Sequence, residues 1–372
     1  MAESQTATNP STAKQTAQIP FPIASRIGLR PSFTDTKTLS ASAPTQATPI
    51  QIPAVGFVKR LWLEVILQGT GGTTPAWAAD GPFNALASVG FRTAAGNDII
   101  VPTTGYNLML QNKYNGPDIV SDPRGGAQYK AAAPSARFFL TLDFEFDPET
   151  GLGSIPALAS NRSYQLNILW AAISQFVTGA PSVTATINAQ AEYWFEPPAV
   201  SSSGLSQATS PQGLGTLSQL QIDNAPLTPG DKLIKLNNVG SVMRNIIFVL
   251  RNSAGARIET NGWPDIAEIL LDNNTLFNLP KSLWEEKMRR WFNLNAASKD
   301  VAGGLDTGVY VVPFHAMTGG LAGDPANSRA QLLPTLDSSQ LQIRGVWGSA
   351  VSSLEIITNN IVPAPGSSLF NK

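Results

Sequence analysis

One succession of secondary-structure elements is encoded twice in this sequence, first near residue 60 and again near residue 240. The first copy has a strand-like run at residues 55–68, apolar runs at 87–92 and 98–101 around a turn, and an amphipathic helix at 105–114. The second copy has corresponding segments at 241–251, 266–271, 276–279 and 281–292. Val58 and Met243 lie 185 residues apart, and Tyr106 and Trp284 lie 178 apart. Because the spacing is nearly constant, the chain is predicted to form two similar domains side by side.

The segments between these elements are typical of packed β-sheets. Residues 57–67 are rich in β-branched and aromatic side chains, and residues 138–147 place Phe138 and four further apolar side chains on one face. Runs at 163–176 and 182–195 bring the first domain to at least seven strands with a single helix. Loops of unequal length between them favour a Greek-key sandwich over βαβ units. The sequence therefore predicts an all-β protein with few short helices.

Composition divides the 372 residues into four segments. Residues 1–47 are polar with little periodicity and predict a flexible N-terminal arm. Residues 48–198 form the first domain, and the Ser-, Gly- and Gln-rich stretch 199–224 is predicted to be the linker. Residues 225–372 form the second domain with a short C-terminal tail; its further strands are expected near 232–236, 307–315, 340–346 and 353–361.

Charge and cysteine content limit the possible functions. Only 14% of the residues are charged and the net charge is −1, so bulk nucleic-acid binding is disfavoured. The densest basic group, residues 287–290, is interpreted as a solvated or interface face of a helix. The absence of cysteine excludes disulfides and thiolate sites. Without a signal peptide or an apolar run of about 20 residues, a soluble chain made in the cytoplasm is expected.

His315 is the only histidine, which limits metal and triad chemistry. Metal sites on related sandwiches use two or three imidazoles, and no G-x-S-x-G motif accompanies the histidine. We therefore interpret His315 as a satisfied or exposed histidine of a strand at 307–315. Trp284, Met288 and Trp291 follow one face of the second helix and are expected to pack on the core rather than hold a cofactor.

Asp143, Glu145 and Asp147 share one face of the predicted strand at 138–147. Such a row could bind calcium or supply the acid and base of a glycosidase. Strand alternation alone also places these carboxylates on the solvent or subunit face, and we favour that interpretation. The loop 69–74 lacks the ending of a phosphate-binding motif. No catalytic, cofactor-binding or metal-binding residue is assigned, and no enzymatic activity or cofactor is predicted.

Several turns and strand signals resemble a known family. They are the stretches at 80–89, 96–100, 104–108 and 112–114, the helix segment 282–288, and the pair 341–345 and 354–359. In layout, residues 48–362 are similar to the double jelly-roll major capsid proteins of tailless, membrane-containing bacteriophages such as the tectiviruses, whose lineage includes the adenovirus hexon. The resemblance implies two tandem eight-stranded jelly rolls and no transferable set of functional residues.

The resemblance also implies a function and partners. It implies a structural coat protein of the virion, in which three chains form a pseudo-hexagonal capsomer that tiles an icosahedral shell. The loops at 115–134 and 316–334 would form turrets or clamps between chains, and the N-terminal arm would reach neighbours or an internal membrane. Partners would be further copies and minor or vertex capsid proteins. The alternative is a carbohydrate-binding or glycan-hydrolysing double sandwich, for which the eight tryptophans and Asp143 with Glu145 would be the candidates.

Overall fold

A computed structural model describes residues 18–54, 56–93, 95–115, 121–157, 164–237, 239–317 and 332–363. It contains two jelly rolls in tandem, and their strands form three sheets. Within these residues no helix is long and apolar enough to cross a membrane.

The first jelly roll runs from residue 27 to residue 194. Its strands are β1 Ile27–Thr38, β2 Thr45–Gln46, β3 Ile50–Gln51, β4 Phe57–Thr70, β5 Leu86–Arg92, β6 Asp98–Thr103, β7 Lys130–Ala132, β8 Ser135–Asp143, β9 Ile155–Pro156, β10 Gln165–Trp170 and β11 Ser182–Trp194. Its helices are α1 Phe21–Ala24, just before β1, α2 Gly105–Asn115 and α3 Ile173–Phe176. Strands β1, β11, β4, β8 and β7, in that order, form what we call the first outer sheet.

The second jelly roll repeats this order. Its strands are β12 Leu217–Pro226, β13 Gly230–Leu236, β14 Val242–Arg251, β15 Ile266–Leu271, β16 Asn274–Pro280, β17 Val309–Pro313, β18 Leu333–Pro334, β19 Leu341–Trp347 and β20 Ser353–Val362. Its helices are α4 Lys281–Trp291 and α5 Phe314–Met317. Strands β13, β19, β15 and β16 form the second outer sheet.

The two jelly rolls meet in a ten-stranded shared sheet. The half from the second roll has the order β17-β14-β20-β12, and the half from the first roll continues it as β6-β5-β10-β2. The halves are joined where β12 pairs in parallel with β6, at Leu220 and Ile100. The shared sheet therefore contains strands of both rolls, whereas each outer sheet contains strands of one roll only.

A β-bulge shows that the repeat holds at single residues. In β4 the register against β11 shifts at Lys59, between the pairs Val58–Tyr193 and Arg60–Glu192. In β14 the register against β20 shifts at Arg244, between the pairs Met243–Asn360 and Asn245–Asn359. Bulges are specific local features. Their recurrence 185 residues apart confirms that Val58 and Met243 occupy equivalent positions in the two repeats.

The two long helices are equivalent in order but differ in surroundings. Helix α2 follows β6 and is buried from Gly105 to Tyr114, because it packs against β8 of its own roll and against β14 and β17 of the other. Helix α4 follows β16 and buries only Trp284 and Met288. The predicted core stripe of α4 is confirmed for these two residues, and Trp291 is half-buried.

The predicted arm and linker are wrong in part. Residues 27–38 are strand β1, paired with β11 along almost its whole length, and Phe21 is buried against Phe57 and Trp194. The linker prediction 199–224 includes the start of β12, which pairs with β20. Both strands combine prolines and polar residues with few apolar side chains, which concealed them in the sequence. Residues 1–17 of the predicted arm lie outside the described residues.

Three predicted strands end earlier than expected. The predicted strand at 138–147 ends at Asp143, although its five apolar residues are buried as expected. The run at 163–176 divides into β10 and the short helix α3, and the run at 307–315 ends at Pro313 before α5. In each case apolar residues continue beyond the last residue of the strand. The sequence therefore predicted which residues are buried but not where the strand ends.

Candidate functional site: the joint between the jelly rolls and the outer sheets

His315 lies in helix α5 rather than in a strand, and it is 4% exposed. Burial and the nearby positive charge of Arg244 lower the pKa of the imidazole to about 3, and the ring hydrogen-bonds to the Arg244 backbone. The histidine is therefore neutral near neutral pH and enclosed by the fold. The interpretation of a satisfied side chain fits this environment, whereas the predicted strand is wrong.

The three carboxylates proposed as a row do not share one face. Asp143 is paired with Arg60 at 2.8 Å and accepts a hydrogen bond from the Thr141 hydroxyl. Asp147 is fully buried and accepts hydrogen bonds from the Glu149 backbone N–H at 3.0 Å and the Thr150 hydroxyl at 2.6 Å, so it closes a turn. The expectation of a common solvent face is wrong because β8 ends at Asp143.

Glu145 is buried in an environment of its own. It accepts hydrogen bonds from Trp194 Nε1 and from the Ser154 hydroxyl at 2.8 Å, and Lys59 Nζ lies 3.3 Å away. Burial nevertheless raises the pKa of the carboxyl, which these partners only partly oppose. Among the described residues no group of three or more His, Asp or Glu side chains is arranged to hold a metal ion.

The joint between the jelly rolls contains a buried ionic cluster around Asp306. This second-roll carboxylate is fully buried and is paired with Lys113 at 2.5 Å and with Arg124 at 2.9 Å, both from the first roll. The Tyr114 hydroxyl donates to it at 2.7 Å. Burial raises the pKa of Asp306, but the two cations and these hydrogen bonds outweigh it and leave the pKa lowered. The cluster therefore holds one charged carboxylate inside the joint.

A second ionic cluster joins the rolls around Asp80. Asp80, from the first roll, is paired with Arg251 at 2.7 Å and with Arg257, and both arginines belong to the second roll. Arg251 is also paired with Glu355 at 3.0 Å, and Glu355 accepts a hydrogen bond from Asn107 Nδ2 on α2 at 2.6 Å. Removing one partner would leave buried charges without compensation, so these contacts hold the rolls in one relative position.

Part of the loop at 115–134 takes part in the joint. Asp122 and Arg124 lie in this loop, and Arg124 contacts Asp306 of the same chain. This portion of the loop therefore clamps the two rolls within one chain. Residues 116–120 of this loop, and residues 318–331 of the other predicted loop, lie outside the described residues.

The outer sheets carry exposed apolar side chains on their solvent faces. On the first outer sheet, Leu29, Trp62 and Phe139 line a groove of about 240 Å³. On the second outer sheet, Ile266 and Val346 are both more than half exposed and line a groove next to Trp347. Neighbouring exposed apolar side chains make these two faces candidate contact sites for other proteins.

The joint residues were not predicted from the sequence. Lys113 and Asp80 were noted only as parts of the family-like stretches 112–114 and 80–89. One available signal was a lysine flanked by Asn112 and Tyr114 within an otherwise uncharged helix. Their partners lie between about 170 and 250 positions away, and no local pattern identifies such pairs.

Comparison with known proteins supports the fold. No protein-family model matches the chain, and no curated protein matches its sequence. Among solved structures, it is similar to one of Sulfolobus turreted icosahedral virus (TM-score 0.61, 13% identity, 91% of each chain covered). It is also similar to the major capsid protein P2 of bacteriophage PM2 (TM-score 0.52, 13% identity, 92% of this chain and 99% of that one). A third similar structure is the capsid of virus PBCV-1 (TM-score 0.57, 13% identity, 96% of each chain).

Proposed function

We propose that this protein is a structural coat protein of a virus, located in the virion. The observation that carries the proposal is the arrangement of two like jelly rolls that share one sheet and each have an outer sheet of their own. The solved structures of similar fold include viral capsid proteins, which supports this role. Such a role depends on surfaces and needs no catalytic residue.

We further propose that three chains form a closed, pseudo-hexagonal capsomer. Each chain presents two different end faces, so contact between copies is head-to-tail and closes into a ring when the rotation per chain is one third of a turn. Three chains of two rolls give six similar blocks, which suits lateral packing in an icosahedral shell. Obligate contacts of this kind bury about 2,000 Å² or more and favour weakly charged surfaces. The charged fraction of 14% is consistent with this.

The experiment that tests the proposal is a mass measurement followed by imaging. Size-exclusion chromatography with light scattering is expected to give three times the chain mass of 39.4 kDa. Electron microscopy should then show hexagonal blocks or closed shells. A protein that stays monomeric at high concentration would contradict the capsomer, and one that also never assembles with other virion components would contradict the coat role.

The carbohydrate alternative has no observation in its favour. All eight tryptophans belong to the described residues, and none of them is exposed. Trp62 is the tryptophan that most resembles a sugar-stacking surface, but Leu29 and Phe139 line the same groove. Asp143 and Glu145 are held by Arg60 and Lys59 in separate environments. A glycan array with the purified protein is expected to show no binding above background.

A further inference from the structure

The contact between the rolls within one chain gives a template for the contact between chains. Inside the chain, the parallel pairing of β12 with β6 brings together Leu220 and Ile100, and Leu220 is only 5% exposed. This pairing turns two half-sheets into one shared sheet. The counterpart of β12 in the first roll is β1, and the counterpart of β6 in the second roll is β16.

The equivalence of β1 with β12 can be assigned residue by residue from the ladders. Leu220 pairs with Asn359 on β20, and Asn359 pairs with Asn245, the residue just after the repeated bulge. In the first roll, Leu29 pairs with Glu192 on β11, and Glu192 pairs with Arg60, also just after the bulge. Leu29 is therefore the counterpart of Leu220.

Leu29 differs from its counterpart in exposure. It is 58% exposed, whereas Leu220, which pairs with Ile100 of β6, is 5% exposed. Ile27, two residues earlier on the same strand, is also more than half exposed. The first roll therefore exposes two aliphatic side chains in the region that is buried in the second roll. This difference indicates a contact that one chain alone does not make.

The edges concerned are free in the described part of the chain. Strand β1 is the last strand of the first outer sheet and pairs only with β11, and β16 is the last strand of the second outer sheet and pairs only with β15. Unpaired edges with exposed apolar residues favour strand addition. Pro31 lacks an N–H donor, which confines pairing to the part of β1 before it. The internal contact likewise lies in the first half of β12, at Leu220.

Helix α4 leads to the same surface. Its counterpart α2 is covered on its outer side by β14 and β17 of the neighbouring roll. Helix α4 packs against β16 and β17 of its own roll, and Leu283 on it is 42% exposed. A neighbouring roll placed against β16 in the manner of the internal joint would cover part of α4 as well.

We propose that β16 of one chain pairs in parallel with β1 of a neighbouring copy, at Ile27–Arg30. The second outer sheet of one chain then continues into the first outer sheet of the next, as the two half-sheets do within the chain. This inference rests on the proposed capsomer and specifies which edges hold it together. The occupant of each edge is a second copy of this chain, because the contact continues the geometry of the joint already present inside it.

Disulfide cross-linking tests this pairing directly, since the chain contains no cysteine. Leu29→Cys is combined in turn with Leu276→Cys and Asn278→Cys, which cover neighbouring registers on β16. Adjacent strands bring Cα atoms within the roughly 4.4–6.8 Å that a disulfide needs. We expect oxidation of the double variant to give covalent trimers on a non-reducing gel. A mixture of the two single variants should give covalent dimers and nothing larger.

The matched control is Leu214→Cys, an exposed residue before β12 that lies on neither edge. It should not cross-link to either β16 position. Wild-type trimers in light scattering without any cross-link from Leu29 would overturn the edge pairing and leave the capsomer intact. A wild-type chain that never trimerises would overturn both.

A charge at the same position gives an independent measurement. Leu29→Arg is expected to weaken trimer association at least tenfold, whereas Leu214→Arg should leave it unchanged. Circular dichroism and the unfolding midpoint show whether the variant monomers remain folded. A folded Leu29→Arg protein that trimerises like the wild type would contradict the proposal.

Discussion

Burial disfavours the charged form of an ionisable side chain, and its neighbours decide the net direction of the pKa shift. At Glu145 burial prevails, and the pKa of the carboxyl is raised although Lys59 is near. At Asp306 the charges of Lys113 and Arg124 prevail, and the pKa is lowered. At His315 burial and Arg244 act in the same direction and keep the imidazole neutral. Burial therefore raises the pKa of the Glu145 carboxyl, whereas two neighbouring cations reverse the direction of the shift at Asp306.

The titration of His315 is a direct check of this environment. The folded pKa of about 3 lies below the unfolded value of about 6.5, so the folded state binds fewer protons. Its contribution to stability is complete above pH ~6.5 and is lost progressively as the pH falls toward 3. Because this is the only histidine, its imidazole signal in NMR is unambiguous. We expect no shift of that signal between pH 8 and pH 5, and a midpoint near 6.5 would contradict the burial.

Replacing Asp306 should destabilise the protein strongly. Asp306→Asn leaves Lys113 and Arg124 buried with less compensation, and breaking such a pair costs about 3–5 kcal/mol in the free energy of unfolding. The exposed pair Asp231 and Arg344 provides the control, and Asp231→Asn should leave the unfolding midpoint unchanged. Denaturant unfolding of both variants measures the difference, and equal midpoints would show that the cluster does not hold the joint.

The lowered pKa of Asp306 also predicts how the stability of the protein changes in acid. The folded pKa of Asp306 is lowered, so its contribution is present above the unfolded pKa of about 4 and is lost as the pH falls through the folded value. The wild type is therefore expected to lose its advantage over Asp306→Asn below pH ~4. Unfolding curves of both proteins at pH 7, 5 and 3.5 test this, and a difference that persists undiminished at pH 3.5 would contradict it.

At the scale of elements, the sequence predicted those whose periodicity is set by burial. Strands β4, β5, β6 and the helix α2 were identified, together with their second copies, because apolar residues recur at strand or helix spacing. Strands β1 and β12 were missed because both carry a proline and many polar side chains, such as Arg30 and Pro31 in β1. Their pairing with β11 and β20 is specified by residues about 125–170 positions away, which local patterns do not reveal.

Helix α4 should depend on one side chain for its position. Trp284 is 1% exposed, donates through Nε1 to the Val311 carbonyl at 3.0 Å, and packs edge-on to Trp263 at 5.2 Å. Trp284→Ala is expected to cost about 3–5 kcal/mol in the free energy of unfolding. Leu283→Ala, at the exposed residue next to it, should not change monomer stability. Chemical denaturation of the two variants under monomeric conditions measures both free energies of unfolding. A loss for Trp284→Ala below about 3 kcal/mol would contradict the packing.

At the scale of the whole molecule, the internal repeat explains both the shape and the proposed assembly. The sequence predicted two similar halves, and the repeated bulge at Lys59 and Arg244 shows how closely they correspond. It did not predict the shared sheet, because β12 and β6 belong to different repeats and meet at a single pair of residues. The candidate surfaces are equally hidden in the sequence, since an exposed leucine is informative only once its buried counterpart is known.

The joint should hold the two jelly rolls together without the covalent connection. The ionic clusters around Asp306 and Asp80, the hydrogen bond from Asn107 to Glu355 and the pairing of Leu220 with Ile100 all cross it. Residues 202–206 of the connecting segment are exposed. A protease recognition sequence inserted after Ser203 would allow this segment to be cleaved. We expect the cleaved halves to co-elute as one particle in native chromatography.

The matched variant carries the same insertion together with Asp306→Asn and Arg251→Met, which remove one partner from each ionic cluster. Its halves should separate more readily after cleavage, at a denaturant concentration where the unsubstituted halves stay associated. Halves that separate at once in the unsubstituted protein would show that the tether, and not the joint, keeps the rolls side by side. In that case a capsomer of six blocks would lack the rigid two-block unit from which it is built.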